Sequence, residues 1–110
     1  MSLSIFPGTV SLLALNAVAR GGPSHGFQIL RWIRETSRGE LLVEEGALYP
    51  ALHRMELDGW LESDWAVSEK GRRAKYYKIT RAGERALDKK CGEWDRYVSA
   101  MARVAGGSSP

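Results

Sequence analysis

Cysteine is nearly absent from this 110-residue chain. Cys91 stands alone, so no internal disulfide can form, and a reducing compartment such as the cytoplasm is expected. Histidine is almost as scarce: His25 and His53 fall on different predicted helices, with no Cys or acid beside them at metal-ligand spacing. Neither a metal nor another cofactor is therefore expected. No phosphate-cradling glycine loop, nucleophile elbow or paired-carboxylate motif occurs, which argues against an enzyme. Long apolar runs are missing as well, and none approaches the roughly 18 residues that a bilayer span needs. The short apolar stretch at 10–18 has no Lys or Arg ahead of it, unlike a secretory leader. Acids are absent from one segment, 70–81, where Lys70, Arg72, Arg73, Lys75, Lys78 and Arg81 stand unopposed.

What is present reads as one folded domain. The chain is 44% hydrophobic and 26% charged, with a net charge of +3, values that argue against global disorder. A core of this size is modest, and small chains often gain stability by oligomerising. The positive balance alone is weak evidence for a polyanionic partner; its concentration at 70–81 says more.

Periodicity gives the order of elements. Val10, Leu13, Leu15, Ala17 and Val18 predict a buried helix at about 8–20, with Pro7 ahead and Gly21-Gly22 closing it. Pro23 bars a helix, and Ser24 is the expected N-cap of a second, whose apolar face is Gly26, Ile29, Leu30 and Ile33. Gly26 is unfavourable within a helix and implies close approach by a neighbouring element. In the third helix Leu48, Ala51, Leu52 and Met55 form the inward stripe. Pro50 is tolerated only in a first turn, which predicts a start near Gly46 or Ala47. Tyr49, Pro50, His53 and Arg54 then face away from the core. After Gly59 the period changes to alternation at 61–67 and 74–79, joined by a polar Gly-containing loop: a β-hairpin with the cations at its tip. Thr80 is the expected N-cap of a last helix at about 81–103. The fold class is α+β, mostly α: a winged helix-turn-helix (1–80), a long C-terminal dimerisation helix (81–105) and a disordered tail (106–110).

The motifs resemble those of the PadR family of transcriptional regulators. The resemblance is carried by Pro23-Ser24-His25-Gly26-Phe27, by Gly46-Ala47-Leu48-Tyr49-Pro50-Ala51-Leu52 and by Gly59-Trp60-Leu61. Gly71-Arg72-Arg73-Ala74-Lys75-Tyr76-Tyr77 and Thr80-Arg81-Ala82-Gly83 complete it, so that it covers about 12–104. It implies a dimeric repressor whose third helix enters the major groove and whose hairpin, the wing, lies along the backbone or minor groove. By the same resemblance the helix-opening tyrosine is Tyr49, and the wing cations are Arg72, Arg73 and Lys75. A single helix after the wing resembles the short subgroup.

The expected double-stranded DNA contacts are Tyr49, Pro50, His53, Arg54, Lys70, Arg72, Arg73 and Lys75. Each has a plainer reading beside it: Tyr49 as surface packing, His53 as an ordinary exposed polar residue, Arg54 as a partner of Asp58 one turn on. In the last helix Leu87, Cys91, Trp94, Val98, Met101 and Ala105 recur at spacings of four and three. This is the seam of a helix pair between two chains, hence a homodimer and a pseudo-palindromic operator. The seam is shorter than an isolated coiled coil requires, and packing on its own domain is the alternative. Trp94 on that seam is a candidate for stacking on a small aromatic or apolar effector. Trp32, Trp60 and Trp65 read as core or domain packing, and Cys91 as a small buried hydrophobe. The rival function is a winged helix that docks a protein and never touches DNA; the uninterrupted cationic wing weighs against it.

Overall fold

The structure is a computed structural model that describes residues 3–6 and 8–106. Pro7 and the expected tail beyond Gly106 lie outside the described residues. Four helices and one hairpin follow in the order α1 (Thr9–Gly21), α2 (Gly26–Thr36), α3 (Glu45–Leu57), β1 (Leu61–Val67), β2 (Arg73–Ile79) and α4 (Arg81–Val104). The strands are antiparallel, with Leu61 opposite Ile79, Ser63 opposite Tyr77 and Trp65 opposite Lys75. This is the winged-helix order, mostly helical with a two-stranded sheet, as the sequence predicts.

The core forms where the three apolar stripes meet. α1 buries Ala14, Leu15, Ala17 and Val18, α2 buries Ile29 and Ile33, and α3 buries the expected Leu48, Ala51, Leu52 and Met55. The wing closes one side of this core with Leu61 and Tyr77, and Trp32 and Trp60 pack against it half-buried. Trp65 does not join them. It is 60% exposed, because only the base of the hairpin reaches the core while the alternation continues out along the free wing.

Two helix starts differ from expectation. The N-cap of α2 is His25: its Nδ1 accepts from the Gln28 N–H at 3.3 Å, and Gln28 Oε1 accepts from the His25 N–H at 3.0 Å. Ser24 has another task. Its backbone exchanges hydrogen bonds with Tyr77, at 3.0 and 2.8 Å, an isolated β-bridge that ties the start of α2 to β2. α3 begins at Glu45, so Pro50 lies inside it, one turn deeper than a first-turn rule allows. The carbonyl that loses its donor belongs to Gly46, which is exposed, so water satisfies it at little cost.

Thr80 caps α4 as predicted, accepting from the Gly83 N–H at 3.0 Å, and its hydroxyl donates to the Gly59 carbonyl at 2.6 Å. One residue thereby ties the long helix to the α3–β1 turn. Near its start α4 runs so close to this turn that a Cβ on Gly83 would overlap the Trp60 carbonyl. Farther along, α4 leaves the domain. Over its 24 residues, about 36 Å of helix, only Gly83 is fully buried.

Candidate nucleic-acid interface

α2, α3 and the wing enclose an open trough of about 1020 Å³. Its cations are Arg31 and Arg34 from α2 and Lys70, Arg72, Arg73 and Lys75 from the wing; Glu69 is the single acid among its lining residues. Local sequence explains the wing's shape. Gly71 takes φ +75°, which few other residues tolerate, and the turn closes through Ser68 N–H to the Arg72 carbonyl at 2.7 Å and Gly71 N–H to the Ser68 carbonyl at 2.9 Å. Residues 69–73 are all exposed around this tip.

Tyr49 sits between α3 and α2. Its phenol occupies the space that a Cβ on Gly26 would fill, the close approach that a glycine within α2 implies. The ring is still 43% exposed and lines the trough. Burial, and then the nearby Glu45 carboxylate, push its pKa above the usual phenol value, so the hydroxyl remains a hydrogen-bond donor. Pro50, His53 and Arg54 are exposed on α3, outside the trough lining.

Lys75 differs from the tip cations. Its ammonium meets Glu56 of α3 at 3.0 Å and lies 5.5 Å from the centre of the Tyr77 ring. Ser63 also donates to Glu56, at 2.5 Å. These bonds hold the Glu56 carboxyl below its ordinary pKa, first through Ser63 and then through Lys75, while Glu56 raises the pKa of Lys75. Lys75 thus fastens the wing to α3, with its charge already partnered. A depressed carboxyl contributes stability that is complete above the ordinary carboxylate range and disappears as pH falls through the depressed value. Lys75, with its raised pKa, contributes fully below its ordinary value and loses this as pH rises through the raised one. Glu56→Gln is therefore expected to reduce unfolding stability at neutral pH by about 0.2–1 kcal/mol, as half-exposed pairs do. Denaturant titrations should show that deficit vanish well below the carboxylate range; a deficit that persists there would rule out the ion pair as its source.

The acid in the trough is internally balanced. Glu69 is held below the usual range, first by a hydrogen bond from its own backbone N–H and then by His25 and Arg31. His25 Nε2 lies 3.7 Å from Glu69 Oε1, and the imidazole meets the Tyr76 ring edge-on at 5.2 Å between centres.

Sequence reasoning missed four residues of this surface. Phe27, Arg31, Arg34 and Trp65 all line the trough. The available signal was weak: Arg31 and Arg34 share one helical face, but periodicity does not say that the wing stands opposite. Trp65 carries the Arg73 guanidinium 5.1 Å above its ring.

The seam on α4 divides. Leu87, expected at a dimer interface, is partly buried and packs against the core of its own domain. Cys91 and Trp94 line an apolar groove of about 510 Å³ with Leu3, Ile5 and Phe6 of the N-terminal segment and Leu12 of α1. Beyond it Tyr97, Val98, Met101 and Val104 are exposed, and Trp94 and Tyr97 stack at 6.1 Å.

A basic trough beside an accessible third helix defines a winged-helix regulator. The transcriptional regulator PadR-like family model matches residues 14–89, more than half of the chain, and this protein belongs to that family. It is 42% identical over 80 residues, 71% of this chain and 70% of the relative, to the transcriptional regulator Rv3488 of Mycobacterium tuberculosis. Among solved structures it resembles a transcriptional regulator from Clostridium thermocellum, with 29% identity, coverage of 87% and 92% of the two chains and a TM-score of 0.78. It is also similar to a PadR family transcription regulator from hypervirulent Clostridium difficile, with 30% identity, coverage of 91% and 100% and a TM-score of 0.73. No helix among the described residues is long and apolar enough to cross a membrane.

Proposed function

We propose that this regulator is a homodimeric repressor that binds a pseudo-palindromic double-stranded DNA operator and is released by a small aromatic or apolar effector. The observation that carries the DNA reading is the trough: five cations besides the Glu56-paired Lys75, against one acid, adjoining the exposed N-terminal half of α3. Phosphate contact supplies much of the affinity of such proteins, and base edges supply the specificity. Lys70, Arg72 and Arg73 take phosphates or the minor groove from the wing. Tyr49, Pro50, His53 and Arg54 meet the major groove from α3, and Lys75 holds the wing in place for them.

The dimer is read from the outer half of α4. Leu87 and Cys91 begin the seam partly buried and Trp94, Val98 and Met101 continue it exposed, and an apolar stripe of this length fits a second copy of itself. Such pairing would set two recognition helices about 34 Å apart, one turn of DNA. The 1–80 unit then reads DNA and the 81–105 helix joins the copies. The effector reading rests on the groove beside Trp94, whose volume lies within the range of small-molecule sites.

Fluorescence anisotropy with a duplex from upstream of the protein's own gene and a scrambled control tests this reading. Binding to the upstream duplex at least ~1,000-fold tighter than to the control is expected. Failure to bind any duplex at low salt would overturn it in favour of protein docking. In the same assay a planar apolar compound should lower the signal in the parent protein and not in Trp94→Ala; an identical response of both would remove Trp94 from the effector site.

A further inference from the structure

We propose that the trough between α2 and the wing is a track for one sugar–phosphate strand, gripped from both walls: by Arg31 and Arg34 on α2, and by a Trp65–Arg73 cation–π pair on the wing. The proposal rests on the DNA-binding reading above and extends the contact to Arg31, Arg34 and Trp65, which neither the recognition helix nor the wing tip supplies.

Charge placement argues for a polyanion lying along the trough. Arg31 and Arg34 are one helical turn apart on an exposed face of α2, with the wing cations across the opening. Two separate walls of one sign repel each other when the space between them is empty. An anionic strand lying between them removes that repulsion and releases its own counterions. The one acid, Glu69, faces His25 at 3.7 Å and lies close enough to Arg31 to be stabilised by it, so it leaves the trough strongly cationic.

Trp65 has a separate chemistry. On one side it carries the Arg73 guanidinium at 5.1 Å, and the residue as a whole remains 60% exposed. A guanidinium held over an indole face keeps N–H donors for a phosphate, and its ordering restricts a flexible side chain before binding. Trp65 is therefore a positioning residue that acts through Arg73, while its exposed edge supplies apolar contact for a deoxyribose. An acidic protein segment would use the same cations, but it would not show the counterion-release slope of a duplex or protect sugars along one strand.

Phosphate contacts are independent of sequence, so a random-sequence duplex is a sufficient probe. In Arg31→Gln/Arg34→Gln the affinity for that duplex is expected to fall, and the slope of log affinity against log salt to become shallower by about 1.8, or ~0.9 per phosphate released. Both arginines are exposed, and unchanged circular dichroism and melting would show that the fold is intact. Trp65→Ala is expected to weaken binding about tenfold, as loss of a partly desolvated cation–π pair does, and Trp65→Phe to restore most of the loss. In an Arg73→Gln background Trp65→Ala should have little further effect, because the two act as a unit. Hydroxyl-radical cleavage should show protected sugars that become exposed in the Arg31→Gln/Arg34→Gln protein. An unaltered slope and footprint, with the parent protein still binding, would overturn the track alone. Full additivity of Trp65→Ala and Arg73→Gln would overturn the positioning role. Absence of binding by the parent protein would sink both this inference and the reading beneath it.

Discussion

Val98→Asp combined with Met101→Asp is expected to leave the protein folded, monomeric and about 100-fold or more weaker on its operator. Both side chains are about half exposed in the single chain, so charging them disturbs little within the protomer. In a dimer the same change would bury facing carboxylates without partners, which costs several kcal/mol and separates the copies. The loss on DNA follows from linkage. A dimer binds its second half-site as an intramolecular event, and that avidity is commonly worth about 10²–10⁴-fold. Sedimentation equilibrium reads the assembly, and anisotropy on an operator selected from a random duplex pool reads the binding. A monomer that kept full operator affinity would overturn the two-half-site reading. A persistent dimer would place the interface elsewhere than the outer half of α4. Binding to a random duplex should fall much less, since one trough suffices for it.

Gly83→Ala is expected to destabilise the fold by about 2–3 kcal/mol, the upper part of the usual range for overpacking. Most overpacked sites relax by turning a side chain. At Gly83 the obstacle is the Trp60 backbone carbonyl, with Ile79 behind it, and the helix start is pinned there by Thr80. To accept a methyl group α4 must lift from the α3–β1 turn and strain the cap bonds. At about 4–8 °C per kcal/mol for a domain near this size, the melting temperature should fall by about 10 °C or more. Gly92→Ala, on the same helix, provides the contrast. Among the described residues, nothing outside its own helical turn lies within 4 Å of the position its Cβ would take, so only helix propensity changes, a gain of up to about 1 kcal/mol. Calorimetry on the two variants separates close packing from propensity; equal effects would refute the packing argument at Gly83.

The position of α4 also shows why the expected seam meets two environments. Leu87, Cys91, Trp94, Val98 and Met101 recur on one face, and a period of this kind says only that residues share a face. The Thr80 tie and the Gly83 approach lay the first turns of α4 against the domain, so Leu87 is partly buried there. The helix then continues beyond the core, and the same face is exposed from Trp94 onward. Where one environment gives way to the other is a matter of domain size and helix direction, neither of which is written in the spacing.

The sequence by itself determined the order of elements, the inward stripes of α1 to α3, the Thr80 cap and the cationic tip around Gly71, because these depend on residues close along the chain. A helix or hairpin chooses its apolar face through neighbours within two turns, and a glycine at φ +75° needs no distant partner. Tertiary structure decided the rest. It turned Ser24 from a cap into a bridge partner of Tyr77, and bonded Lys75 to Glu56 while leaving Arg72 exposed at the tip. It also set Arg31 and Arg34 across from Trp65 and Arg73. Each of these is a meeting of groups far apart in the chain, and a charge or an aromatic ring acquires its role only from what stands within a few ångströms of it.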